Sequence, residues 1–107
     1  MKDAPDSPAE LRARALRLLA RREHTRRELE SKLSPHAGAA DELQDLIEGL
    51  KQKNQQSEER YAEARARQLA RKFGAARIRQ DLKAKGVNEE LVARFSASPD
   101  EIGRAHV

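Results

Sequence analysis

The stretch His24-Thr25-Arg26-Arg27-Glu28-Leu29-Glu30-Ser31-Lys32-Leu33 recurs as Phe73-Gly74-Ala75-Ala76-Arg77-Ile78-Arg79-Gln80-Asp81-Leu82, with Leu29 on Ile78 and Leu33 on Leu82 at an offset of 49. Upstream the register differs by one: Ser7 falls on Ser57, Leu11 on Tyr61, Leu19 on Leu69 and Arg21-Arg22 on Arg71-Lys72, at an offset of 50. A one-residue slip fits in a turn between two helices. A helical unit that repeats after about fifty residues implies an array of binding surface rather than an enzyme with one pocket.

Outward from that repeat, the pattern predicts three helices per unit. Ser7-Pro8-Ala9-Glu10 combines a Ser cap, a Pro at the first helical position and a Glu at the third. Leu11, Ala15, Leu18 and Leu19 then form one apolar stripe. Thr25-Arg26-Arg27-Glu28 is a second capping box; it opens a short helix with Leu29 and Leu33 inward, stopped by Ser34-Pro35. A third helix is expected over about residues 41–53, with Leu43, Leu46, Ile47 and Leu50 on one face, followed by a polar break at Asn54-Gln55-Gln56. In the second unit, Ser57 opens a helix whose inward residues are Tyr61, Ala62, Leu69 and Phe73. A fifth helix follows at about 75–85 with Ile78 and Leu82 inward and Gly86 past its end. Asn88-Glu89-Glu90 opens a sixth, using Leu91, Val92 and Phe95. The expected division is a disordered tail over 1–6, a first three-helix repeat over 7–54, a second over 57–97, and the opening of an incomplete third repeat over 98–107. There Ser98-Pro99-Asp100-Glu101 echoes Ser7 to Glu10, so the chain is expected to end inside a third repeat.

Composition agrees with an all-α chain: 37% charged, 37% hydrophobic, no Trp, one Tyr and two Phe in 107 residues. Ala and Leu at helical spacing amid dense charge favour helices over sheets, and each unit has few large apolar side chains with which to build a core. The absence of cysteine excludes disulfides and thiolate metal sites and is compatible with a reducing, cytoplasmic location. The acidic, proline-containing start is unlike a signal peptide, and no window holds enough apolar residues for a membrane span.

The net charge of +4 is unevenly placed. Residues 11–33 carry eight Lys/Arg against three acids, residues 60–85 nine against two, and residues 37–59 two against six. The first two helices of each unit are therefore basic, and the segment between them is acidic. This arrangement suits an acidic protein face or nucleic acid. The candidate partner-binding residues are Arg21, Arg22, Arg26 and Arg27 in the first unit, and Arg71, Lys72, Arg77 and Arg79 in the second, extended by Lys83 and Lys85. The alternative for each is a solvated helix face with local ion pairs. His24, His36 and His106 are too scattered to ligate a metal; His24 is expected to pack in the first interhelical turn, where Phe73 stands in the second unit. No nucleophile has a base beside it and no glycine-rich phosphate loop is present, so neither catalysis nor a cofactor or metal is expected.

The segment Ala15 to Leu29 resembles the opening of RecX, a family of bacterial recombination regulators. Glu59-Arg60-Tyr61-Ala62-Glu63-Ala64 and Gly74 to Val87 are similar to its characteristic segments, and the resemblance covers about residues 9–95. It implies tandem three-helix, helix-turn-helix-like repeats forming an elongated, curved array. It also implies a monomer that lies in the groove of the RecA recombinase filament and suppresses ATPase and strand-exchange activities, with direct contact to DNA in some members. The chain departs from the family at Ser34-Pro35-His36-Ala37-Gly38, where a shorter basic turn is common, and at Ala75, where proline is frequent. Two other readings stay open. One is a DNA-binding helix-turn-helix module acting without RecA, although the short helices hold only Gln80 of the Asn and Gln residues suited to base edges. The other is a scaffold whose acidic third helix, through Asp45 and Glu48, carries the partner contact.

Overall fold

The computed structural model describes residues 4–97, all of whose regular structure is helical. Six α-helices run α1 Pro8–Arg21, α2 Arg26–Leu33, α3 Ala40–Gln52, α4 Glu58–Leu69, α5 Ala75–Ala84 and α6 Glu89–Ser96. The chain divides into two compact units between Ser57 and Glu58. The expected opening of a third repeat, 98–107, lies outside the described residues, as do residues 1–3.

In the first unit, α1 and α2 both open on complete capping boxes. The Ser7 hydroxyl accepts from the Glu10 N–H and Glu10 reaches back to the Ser7 N–H; Thr25 and Glu28 do the same for α2. Each box satisfies two backbone donors that a helix start leaves open. Leu11, Ala15, Leu29, Leu33, Leu43, Ile47 and Leu50 form the core, all 5% exposed or less. Leu18, Leu19 and Leu46, expected inside, pack only partly buried against it. After α2 the backbone tightens into a 3-10 turn, Ser34–His36, which accommodates Pro35.

Two parts of this unit depart from expectation. The sequence pattern predicts a disordered tail over 1–6, yet Asp6 is buried. Its N–H donates to the His36 carbonyl at 2.8 Å, and its carboxylate receives Arg14 at 2.8 Å. The polar break at 54–56 is an ordered helix end. Asn54 adopts φ 60°, its N–H donates to the Lys51 carbonyl, and the Gln55 N–H donates to the Leu50 carbonyl. That is a Schellman motif with asparagine in the left-handed position. It turns Gln56 inward, where the side chain is 2% exposed and its amide donates to the His24 carbonyl at 3.1 Å.

In the second unit, Tyr61, Ala62, Ala66, Leu69, Ile78, Leu82, Val87, Leu91 and Val92 form the core, with Phe95 packed partly buried against it. The α5 end is again a Schellman motif. Gly86 sits at φ 87°, its N–H reaches the Lys83 carbonyl, and the Val87 N–H reaches the Leu82 carbonyl. Val87 and Leu82, at the two ends of the longer bond, both lie in the core, the hydrophobic contact that accompanies this motif. Asn88 then caps α6 by accepting from the Leu91 N–H. Phe73, expected inward, lies past the end of α4 and is exposed.

Removing the Gln56 amide leaves the His24 carbonyl buried without that donor. The Gln56→Ala variant is expected to unfold about 1–3 kcal/mol more easily than the parent in urea titrations followed by circular dichroism, whereas Gln52→Ala, on the exposed end of α3, should change stability by less than about 0.5 kcal/mol.

Candidate functional site

Arg21, Arg22, Arg26 and Arg27 flank the turn from α1 to α2, and Arg71, Lys72 and Arg77 the turn from α4 to α5; Arg79 lies further along α5, and Lys83 and Lys85 lie at its far end. These turns occupy the same place in the repeat, and the structure builds them in opposite ways.

The first turn closes on itself. His24 is 1% exposed. Its Nδ1 lies 3.0 Å from the Arg22 carbonyl and its Nε2 lies 3.2 Å from the Lys32 ammonium. The carbonyl requires a donor and the ammonium can only donate, so the ring is neutral with the proton on Nδ1. Burial lowers the His24 pKa from its ordinary value; the bond to the Arg22 carbonyl opposes this, and the nearby Arg22 and Lys32 charges add to it. Arg22 makes a bidentate pair with Glu28, both bonds 3.1 Å, and also donates to the Glu23 carbonyl. Glu28 Oε1 additionally accepts the Thr25 N–H at 3.0 Å. Burial works to raise the Glu28 pKa, but the Arg22 and Thr25 bonds outweigh it and hold the carboxyl below its ordinary value. Arg26 bridges α2 to α3, donating to Glu48 at 3.0 Å and to Gln44 at 2.6 Å; Gln44 in turn donates to Glu30 at 2.6 Å. Of the four first-unit candidates, Arg22 and Arg26 are thus ion-paired within the unit, Arg22 at its exposed surface. Arg21 and Arg27 remain exposed. The pairing of Glu48 also leaves Asp45 as the exposed member of the two acids considered on α3.

The second turn opens outward. Phe73 replaces His24 and is 38% exposed, the one large apolar side chain so placed among the described residues. Gly74 replaces the capping Thr25 and leaves the α5 start without a side-chain cap. Arg77 stands where Glu28 neutralises Arg22, and its guanidinium lies over the Phe73 ring, 4.7 Å from the centroid. Arg71, Lys72, Arg77, Arg79 and Lys83 are exposed, and Lys85 is half-buried. Among the described residues none of these six is ion-paired. From Ala64 through Gln80 the sequence holds six Lys/Arg and no acid. The acids that bound this stretch are occupied: Asp81 takes a bidentate pair from Arg65 at 2.9 and 3.0 Å, and Glu63 meets Arg67 at 3.4 Å. The Arg65 bond holds the Asp81 carboxyl below its ordinary value, against the effect of burial.

Sequence reasoning missed Arg65 as an interhelical clamp between α4 and α5, and the exposure of Phe73. The first left no local signal, because Arg65 and Asp81 are sixteen residues apart and on different helices. The second had one: the glycine after Phe73 and the basic residues around it differ from the capped turn of the first unit. Among the described residues no group of His, Asp and Glu is arranged to hold a metal, and no helix is long and apolar enough to cross a membrane.

Residues 57–94 match the RecX second three-helix domain. The chain is 39% identical to the regulatory protein RecX of Ralstonia nicotianae over 94% of its own length and 65% of that protein. It is 42% identical to that of Ralstonia pickettii over 87% and 58%, and 44% identical to that of Neisseria meningitidis serogroup B over 75% and 52%. The crystal structure of RecX from Lactobacillus salivarius superposes with a TM-score of 0.75 at 23% identity, over 82% of this chain and 58% of that one, a likeness of fold. The chain spans between about half and two thirds of the length of these curated relatives.

The lowered His24 pKa fixes the sign of one pH effect. A histidine that resists protonation when folded gives stability that is present above its unfolded value, about 6.5, and is lost as pH falls below it. Thermal stability should therefore fall from pH 7 to pH 5. The depressed Glu28 and Asp81 add a second loss on acidification below about 4. His24→Phe, which has no titrating ring, should flatten the first limb and leave the second, as read from melting temperature against pH.

Proposed function

Because the chain belongs to the RecX family, we propose that it is a regulatory protein that binds the RecA recombinase filament and inhibits its ATPase and strand-exchange activities in DNA repair and recombination. It would act in the cytoplasm as a monomer, without a cofactor. The observation that carries the reading is the second-unit turn. Arg71, Lys72, Arg77 and Arg79 are exposed in it or just after it and, among the described residues, form no salt bridge, in the segment matching the family domain. A filament groove would offer nucleic acid phosphates beside protein, and a patch of unpaired cations is complementary to such phosphates. Lys83 and Lys85 extend that patch along α5. Arg21 and Arg27 supply a smaller first-unit contribution. Arg22 and Arg26 act by holding the first unit together rather than by touching a partner. Seated in the groove, the chain would oppose the conformational cycle coupled to ATP hydrolysis.

The second reading is DNA binding without RecA, favoured by the same unpaired cations. One experiment separates the two: RecA's single-stranded-DNA-dependent ATP hydrolysis, measured with the chain at concentrations where free DNA is unbound. Suppression there supports a RecA-directed regulator; suppression only when free DNA is also bound supports the second reading. The combined variant Arg71→Glu, Lys72→Glu, Arg77→Glu, Arg79→Glu is expected to need roughly tenfold more protein for half-suppression, several exposed pairs of a few tenths of a kcal/mol each, with unchanged helicity. Arg22→Glu is expected to do the reverse, lowering the melting temperature while leaving the activity of the folded fraction in place. Equal potency of the fourfold variant and the parent would remove this patch from the mechanism.

A further inference from the structure

We propose that the turn between α4 and α5 is a stacking site for an unpaired nucleobase. Phe73, braced by Arg77, offers the ring, while Arg71 and Lys72 hold the adjoining phosphates, so that the preferred ligand is single-stranded nucleic acid rather than duplex. The inference goes beyond filament binding and does not depend on it. Three observations converge. Phe73 is 38% exposed, although the fold does not demand this, since His24 at the same place in the first unit is buried at 1%. The Arg77 guanidinium lies over the ring, 4.7 Å from its centroid, and braces one face of it, so that a base would stack on the other. The surrounding segment has no acid from Ala64 through Gln80, and the bounding acids Glu63 and Asp81 are taken up by Arg67 and Arg65.

Charge complementarity selects a polyanion, and the exposed ring selects one with flat apolar faces. A duplex presents phosphates outward but keeps its bases stacked within. An acidic peptide presents carboxylates and few planar faces. A single strand presents both phosphates and splayed bases, and cationic grooves with interleaved aromatic side chains are how such strands are bound.

The chain has no Trp, so Phe73→Trp places a single indole at the site. Its fluorescence is titrated with oligo-dT of roughly twenty nucleotides, longer than such a site covers, with an abasic strand of equal length, and with a hairpin duplex. Quenching by oligo-dT, with much less by the abasic strand and the duplex, is expected. Phe73→Ala and Phe73→Leu, checked for parental helicity, should each weaken oligo-dT binding by roughly tenfold and leave abasic binding nearly unchanged. Leucine keeps apolar bulk without a ring, so a loss in both variants reports stacking and not a cavity. Arg71→Glu with Lys72→Glu should weaken both strands and flatten the salt dependence. Parental oligo-dT affinity in the folded Phe73 variants overturns the proposal, as does equal quenching by the abasic strand. So does an indole that responds to RecA protein alone and not to oligo-dT, which would make Phe73 a protein anchor. Suppression of RecA hydrolysis is scored separately; if it persists in Phe73→Ala alongside parental oligo-dT binding, this inference fails and the filament reading stands.

Discussion

The bond from the Gln56 amide to the His24 carbonyl ties the last residues of the first unit to the turn that starts α2, thirty-two positions earlier. Much of the first unit's precision hangs on that closure. Its core is made from a handful of aliphatic side chains, a small apolar area from which to draw stability. With so little to spare, the polar groups at the interhelical turn must find partners. They do so in layers. Gln56 meets the His24 backbone, the His24 ring meets the Arg22 carbonyl and Lys32, and Arg22 meets Glu28, which also completes the Thr25 capping box. Neutral His24 is the pivot, since a second ring proton would face the Lys32 ammonium at 3.2 Å.

The second unit keeps the backbone plan and abandons that network. Phe73, Gly74 and Arg77 replace His24, Thr25 and Glu28, which removes the buried ring, the capping hydroxyl and the neutralising carboxylate together. Stability is recovered elsewhere: by the Arg65–Asp81 clamp between α4 and α5, by the Schellman end at Gly86, which brings Val87 into the core, and by the buried aromatic side chain of Tyr61. A turn relieved of its structural duty is then open to present side chains outward. That division between a sealed turn and an exposed one distinguishes the two copies of the repeat more sharply than their sequences do.

The helices were legible because their signals are local. Ser7, Thr25 and Asn88 cap where the pattern put them, Gly86 takes the left-handed position, and Ile78 and Leu82 face inward as the repeat required. What escaped was set by pairs distant in sequence. Asp6 looked like part of a tail, since nothing near it announces Arg14 on α1 or the His36 carbonyl beyond α2. Gln56 looked like a polar break because only the left-handed turn at Asn54 shows which way it points. Phe73 was placed inside on apolar character alone, yet α4 stops at Leu69 and four further residues carry the ring past the core. A guide such as helical periodicity fails once the helix has ended.

Pairings distant in sequence also decide where the charge of this chain is felt. On paper residues 11–33 and 60–85 are both strongly basic, and the duplication invites treating their arginines as equivalents. In the folded units they are not. Arg14, Arg22 and Arg26 each hold a carboxylate that positions a turn or a neighbouring helix, so their charge is spent within the first unit and little of it projects. In the second unit Arg65 does that work almost alone between α4 and α5, and among the described residues Arg71, Lys72, Arg77 and Arg79 form no salt bridge. An outside anion therefore meets a stronger field at the second turn than the sequence totals imply, because a fixed neighbouring carboxylate cancels most of a cation's potential beyond a few ångströms. Net charge counts residues, whereas a partner responds to those the fold has left uncompensated, and here one of them, Arg77, lies over an exposed aromatic ring.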